Sequence, residues 1–272
     1  MIGLLLAVWV AMAAAMAMGW LVLWRAGDGG WTDVFWTFSM GAIGAAAALT
    51  RIAGAQASPA RQAVIAALFA AWALRLGWHI LGRVRRGPED ARYAKLRQDW
   101  APNAQKMMFA FLQLQALAGA ALLASVVIAA HTPAPGLRAR DLAGFAILAI
   151  AIAGEALADS QLRRFATGPA HRGEVCDQGL WSWSRHPNYF FQWLGWLAYP
   201  FISVDMSGQY GWSWLTLTAP AYMYYLLRFV SGVPPLEAHM LASRGAAFEA
   251  YRARVSVFFP SPPRQTPAKE FR

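Results

Sequence analysis

Residues 185–204 read RHPNYFFQWLGWLAYPFISV. Arg185, His186, Pro187, Asn188 and Tyr189 run directly into an apolar segment from Phe190 to Val204, and upstream of them stand Asp159, Arg163, Arg164, Arg172, Glu174 and Asp177. Cationic, acidic and hydrogen-bonding side chains therefore crowd the mouth of an apolar span, as expected of an enzyme embedded in a membrane. Pro187 suits the first turn of a helix, where its missing N–H is no loss. A helix N-terminus attracts phosphate or carboxylate, and arginines converging on it make a seat for a pyrophosphate.

Reading outward, the whole chain fits a membrane setting. It is 58% hydrophobic and 14% charged, against roughly 45–50% and about 25% in soluble domains. Apolar runs fall near 2–24, 31–50, 62–82, 107–130, 140–158, 189–205 and 211–230, each close to the roughly 20 residues that cross a bilayer as helix. The expectation is an all-α integral membrane protein of about seven transmembrane helices. It forms one domain over residues 1–272, with polar connections 83–106 and 159–188 and an amphipathic tail 235–260 on one side. The first run has no basic stretch before it and exceeds a signal-peptide core of roughly 7–15 residues, so it reads as a permanent helix.

With the N-terminus outside, the inner loops and tail hold 18 Lys and Arg residues, and the outer loops hold four, Arg51, Arg61, Arg138 and Arg140. This positive-inside bias puts the C-terminus in the cytoplasm. The net charge of +10 is thus mostly topology, and no nucleic acid is expected as partner. One cysteine, Cys176, excludes an intrachain disulfide and a multi-cysteine metal site, and no metal is expected.

Charged groups inside a span are costly, roughly 2.5–3.5 kcal/mol on insertion scales, and usually face a cavity or a partner. Asp33, Arg75, Glu155 and Arg228 are such groups. Arg75 lies one turn from His79, which suggests a polar face, and Asp33 is read as lying near the outer end of the second span. Glu155, Asp159 and Arg163 follow at intervals of four, hence on one helical face. In the tail, Glu237, His239, Tyr251 and Arg252 follow Pro234-Pro235; a helix lying on the bilayer could also roof a pocket there. The outer connections look almost featureless, so function should face the cytoplasm.

The stretch from Asp159 to Asn188, with Gln178-Gly179-Leu180 inside it, and the tail pattern of Glu237, His239, Phe248-Glu249-x-Tyr251 and Pro260 resemble the steroid 5α-reductase superfamily. The phrase Ser184-Arg185-His186-Pro187-Asn188-Tyr189 is most similar to its bacterial and plant branch of unknown function. Its Arg-His-Pro-x-Tyr core is shared with sterol reductases, isoprenylcysteine carboxyl methyltransferases and phospholipid methyltransferases. The resemblance implies a helical membrane fold holding NADPH in a cytoplasm-facing pocket, with hydride delivered to an activated C=C bond of a lipid or sterol-like substrate. It implies cofactor-site roles for Asp159, Arg163, His186, Asn188, Tyr189, Glu237, His239 and Tyr251, with Arg164, Arg172 and Arg185 as phosphate partners by their charge. Gln192 stands where the steroid reductases have a glutamate, and their second-span Gln-Glu pair and third-span tyrosine have no counterpart found here, which weighs against an unsaturated ketosteroid as substrate. Asp33 and His79 are the substitutes expected to polarise or protonate the substrate.

Two other readings share the motif. An S-adenosylmethionine-dependent methyltransferase would carry a paired Glu-Glu soon after Arg-His-Pro, whereas the first tail acid here is Glu237, unpaired and further on. A lipid-binding or transport protein would bind no nucleotide. Short loops point to the bacterial inner membrane, with membrane lipids as partners.

Overall fold

The computed structural model describes residues 1–26, 29–54, 56–86, 91–168 and 173–264. Among them the regular structure is helical and no strand forms. The elements run α1 (Ile2–Ala26), α2 (Trp31–Leu49), α3 (Pro59–Arg86), the short α4 (Ala91–Asp99), α5 (Ala104–Ala130) and α6 (Ala139–Thr167). All of these except α4 are long and apolar enough to cross a membrane, five in number.

The last two apolar runs fold less regularly. α7 (Pro187–Ser203) has 17 residues and contains Pro200, so it reaches about 26 Å, short of the roughly 30 Å hydrocarbon core. The segment 211–230 is broken into a 3₁₀ stretch Gly211–Leu217, α8 (Thr218–Tyr225) and a π-helical turn Leu226–Val230. The tail forms α9 (Val233–Arg244) and α10 (Ala246–Arg254). Pro234-Pro235 opens α9, where prolines lose no helical hydrogen bond.

The chain divides into two compact units, Met1–Phe145 with Tyr199–Ala219, and Ala146–Ala198 with Pro220–Arg272. In the first, glycines let helices approach closely, the means by which spans associate where lipid supplies no hydrophobic drive. A Cβ at Gly44 would collide with Phe69 and Leu123, and one at Gly41 with Ala73. Met12, Met40, Phe69, Leu112 and Leu123 are buried in this unit.

The side expected to be featureless carries the most buried ion pair of this unit. Arg61, in the first turn of α3, donates through Nε and Nη2 to the two oxygens of Asp141 at 3.0 and 2.9 Å, and both side chains are 0% exposed. Arg61 also donates to the carbonyls of Thr132 and Gly136, each at 2.8 Å. Arg138 joins Asp141 at 3.0 Å and donates to Ile202 O at 2.8 Å, while Arg140 donates to Phe201 O and Val204 O. These arginines satisfy carbonyls at the end of α7 that have no helical partner. The sequence reading of Arg61, Arg138 and Arg140 as orientation signals missed this work.

Asp33 also needs correction. It lies in the first turn of α2, and the Tyr93 Oη and Arg92 Nη2 of α4 donate to it at 2.7 and 2.8 Å. It therefore sits on the side of the 83–106 connection, not at the outer end of its span. Burial first, and then the charge of Asp33, hold the Tyr93 phenol well above its usual range.

Candidate functional site

Nearly all the residues expected to bind a cofactor fall in the second unit, and the site grows from α6. Asp159 is buried, whereas Arg163 and Arg164 on the following turn are exposed. Below them a 3₁₀ turn, Gly179–Ser182, is pinned to the helix: Leu180 N–H donates to Gln161 Oε1 at 3.0 Å and Trp181 Nε1 to Ala158 O at 3.0 Å. Gly179 has φ +58°, a left-handed conformation that favours glycine, and it lies against the Gln161 amide.

The turn delivers the chain to Ser184, whose Oγ accepts the His186 N–H at 3.1 Å and donates to Phe258 O at 2.9 Å. Pro187 then opens α7 as its composition predicts. The tail closes over this segment. Arg185 N–H donates to Ser256 O at 2.8 Å, Arg185 Nη1 to Val255 O at 2.8 Å, and the buried Tyr251 Oη to Trp181 O at 2.6 Å. Burial pushes the Tyr251 phenol upward, so it remains a donor. Phe190, Trp193, Tyr224, Phe258 and Phe259 pack in edge and tilted contacts beside the clasp.

At the centre lies Glu237 of α9. Its Oε1 accepts from Arg185 Nε at 2.7 Å and from His186 Nε2 at 3.0 Å, and Arg252 Nε stands 3.5 Å from Oε2. Burial alone would raise this carboxyl, but the hydrogen bonds from His186 and Arg185 and the charge of Arg185 hold it down at about 2. Burial lowers His186, and the neighbouring Glu237 offsets this only in part. An ionised carboxylate thus faces a neutral imidazole at neutral pH. The His186 ring stacks on Tyr189, centroids 5.4 Å apart and planes at 8°. Next to it Asn188 Nδ2 donates to Asp159 Oδ1 at 3.2 Å, and Asn188 Oδ1 accepts the Tyr189 N–H.

Asp159, Arg185, His186, Asn188, Tyr189, Glu237 and Tyr251 are therefore linked by direct contacts or through shared backbone. His239 is exposed, two residues beyond Glu237, and takes no part in the Glu237 cluster. Arg164 borders a separate open cleft of about 420 Å³ with Gln161, Phe165 and Gln178. Arg172 lies outside the described residues. Asp33 and His79 belong to the other unit. A second cleft, about 290 Å³, is lined by Arg185, Arg252, Arg254, Ser261 and Arg264; arginines so gathered suit an anionic ligand, bidentate phosphate above all.

A family model described as a protein of unknown function (DUF1295) matches residues 19–255. The chain belongs to the DUF1295 family. That family is part of the steroid 5α-reductase-like group. No curated protein and no solved structure matched. Sequence reasoning on this DUF1295 chain did not single out Ser184, Gln161 or Tyr93 as site residues. Ser184 stood inside the recognised phrase and could have been found there; Gln161 and Tyr93 gain their meaning only from contacts across 19 and 60 residues.

Proposed function

We propose that this chain is an NADPH-dependent reductase of an activated C=C bond in a lipid or steroid-like substrate, an integral protein of the bacterial inner membrane. In this reading it has seven spans, its N-terminus outside and its C-terminus in the cytoplasm. The observation that carries the reading is the joining of Arg185, His186 and Glu237 beside Asp159 and Asn188 at the N-terminus of α7, in a chain of the 5α-reductase-like group. The residues suit a phosphate-bearing dinucleotide: arginines line the neighbouring cleft, and a buried His186 Nδ1 has no partner of its own among the described residues.

When bound, the nicotinamide supplies the hydride. Arg185, Arg252, Arg254 and Arg264 would hold phosphate, and Arg163, Arg164, Arg172 and His239 are kept as further candidates. Asp159 and Asn188 would orient the ribose-nicotinamide end, and Tyr189 and Tyr251 fix the wall. Asp33, hydrogen-bonded to Tyr93, and His79 are proposed to stabilise the negative charge that develops on the substrate oxygen and to return a proton.

The test is to titrate NADPH and S-adenosylmethionine separately against the detergent-purified protein while following thermal stability. A ligand at about 100 times its dissociation constant adds about 2.7 kcal/mol. Stabilisation by NADPH alone is expected, and Asn188→Ala should weaken it. Stabilisation by S-adenosylmethionine alone would assign the site to methyl transfer, and silence from both would leave lipid binding.

A further inference from the structure

His186 is 3% exposed, and its Nδ1 has no hydrogen-bond partner among the described residues. Everything else about the residue is fixed. Its backbone N–H is held by Ser184 Oγ, its ring plane by the stack on Tyr189, and its Nε2 by Glu237. An ionised carboxylate accepts hydrogen bonds and donates none, so the 3.0 Å contact with Glu237 requires the proton on Nε2. A neutral imidazole protonated there carries a bare lone pair on Nδ1. Protonation of both nitrogens would bury an unpartnered N–H and add a cation near Arg185 and Arg228, both of which oppose it. The protein thus builds a rigid, buried acceptor that no described residue fills, which is unusual because buried polar atoms are nearly always paired.

We propose that Glu237 is a positioning residue that sets the Nε2–H tautomer of His186, and that the Nδ1 lone pair accepts a hydrogen bond from an O–H or N–H group of the bound nucleotide. The ligand half rests on the NADPH reading above; the tautomer half stands on the geometry alone. NADPH carries suitable donors in its ribose hydroxyls and its carboxamide. The same acceptor disfavours ligands that would present another lone pair, so it selects for orientation as well as binding.

The experiment is ¹⁵N NMR of histidine-labelled protein in detergent, with the His186 signals assigned by their loss in His186→Gln. The expected ligand-free spectrum shows a protonated Nε2 and a bare Nδ1. Saturating NADPH then moves the Nδ1 resonance in the direction of hydrogen-bond acceptance. Glu237→Gln, which keeps an acceptor oxygen, should retain the tautomer; Glu237→Met should lose it and weaken NADPH by roughly 3- to 10-fold, the value of one neutral hydrogen bond. A ligand-free spectrum with Nδ1 protonated overturns the proposal whatever the Glu237 variants show. NADPH binding that leaves Nδ1 unmoved overturns its ligand half while sparing the reductase reading. Absence of NADPH binding, with the expected tautomer present, overturns the reductase reading and the ligand half together.

Discussion

Replacing Asp141 with alanine should unfold the first unit more readily than any other single truncation of a charged side chain within it. The carboxylate accepts from Arg61 Nε and Nη2 and from Arg138 through its backbone and side chain, and it is fully buried with Arg61. Its removal leaves a buried guanidinium without counter-charge, a loss of about 3–5 kcal/mol. For a chain of this size each kcal/mol shifts the midpoint by roughly 2–4 °C, so the expected fall is roughly 6–20 °C. The assay is thermal unfolding in detergent, completed as a double-mutant cycle with Arg61→Ala. The double variant should lose less than the sum of the two singles, since each partner is harmful chiefly when left alone. It should not regain parental stability, because Arg61 also satisfies the carbonyls of Thr132 and Gly136. A fall of less than about 2 °C for Asp141→Ala, below the shift expected for 1 kcal/mol, would refute the reasoning.

Three further outcomes are expected. Glu237 is held at about 2 against an ordinary 4.5, so its contribution of about 3 kcal/mol is complete above pH 4.5 and is lost as pH falls toward 2; thermal midpoints measured across that window should drop in the parent and drop less in Glu237→Gln. Tyr251→Phe leaves the Trp181 carbonyl without its 2.6 Å donor and should cost about 1–3 kcal/mol, visible as earlier protease cleavage of the tail than in the parent. Gly154→Val sets a branched side chain against the Phe191 ring and should destabilise by about 1–3 kcal/mol, whereas Gly136→Ala, in open space, should leave the midpoint near the parental value.

The helices of this protein were legible wherever one local rule decided them. Pro187 announces the start of α7 because the ring fixes φ, and the spacing of Asp159 and Arg163 holds because α6 continues through both to Thr167. The site was legible as a list of residues but not as a set of bonds. Arg185 reads as a phosphate ligand by its charge, yet its partner Glu237 stands 52 positions away, and nothing local gives that pairing. His239 shows the opposite case. It shares a motif with Glu237, but two steps along a helix turn about 200°, so the two side chains leave opposite faces and only one reaches Arg185. Positive-inside counting did not reveal the role of Arg61, because a tally of charge does not distinguish a solvated guanidinium from one sealed against Asp141. The regularity of the last two apolar runs was overread, since hydropathy does not register a π-helical turn or the shortness of α7.

The tail clasp also sets an order of events during synthesis. Ser184 is held by Phe258, 74 residues later, and Arg185 by Glu237, 52 residues later. At about 5–20 residues per second, the phrase Arg185-His186 waits roughly 3–10 s for its carboxylate and a little longer for the closing tail. A chain halted after Val230 would carry every apolar run, yet Arg185 would lack the Glu237 carboxylate and Ser184 the Phe258 carbonyl. The last helices therefore complete the hydrogen bonding of the Arg185-His186 phrase, which no earlier part of the chain supplies among the described residues.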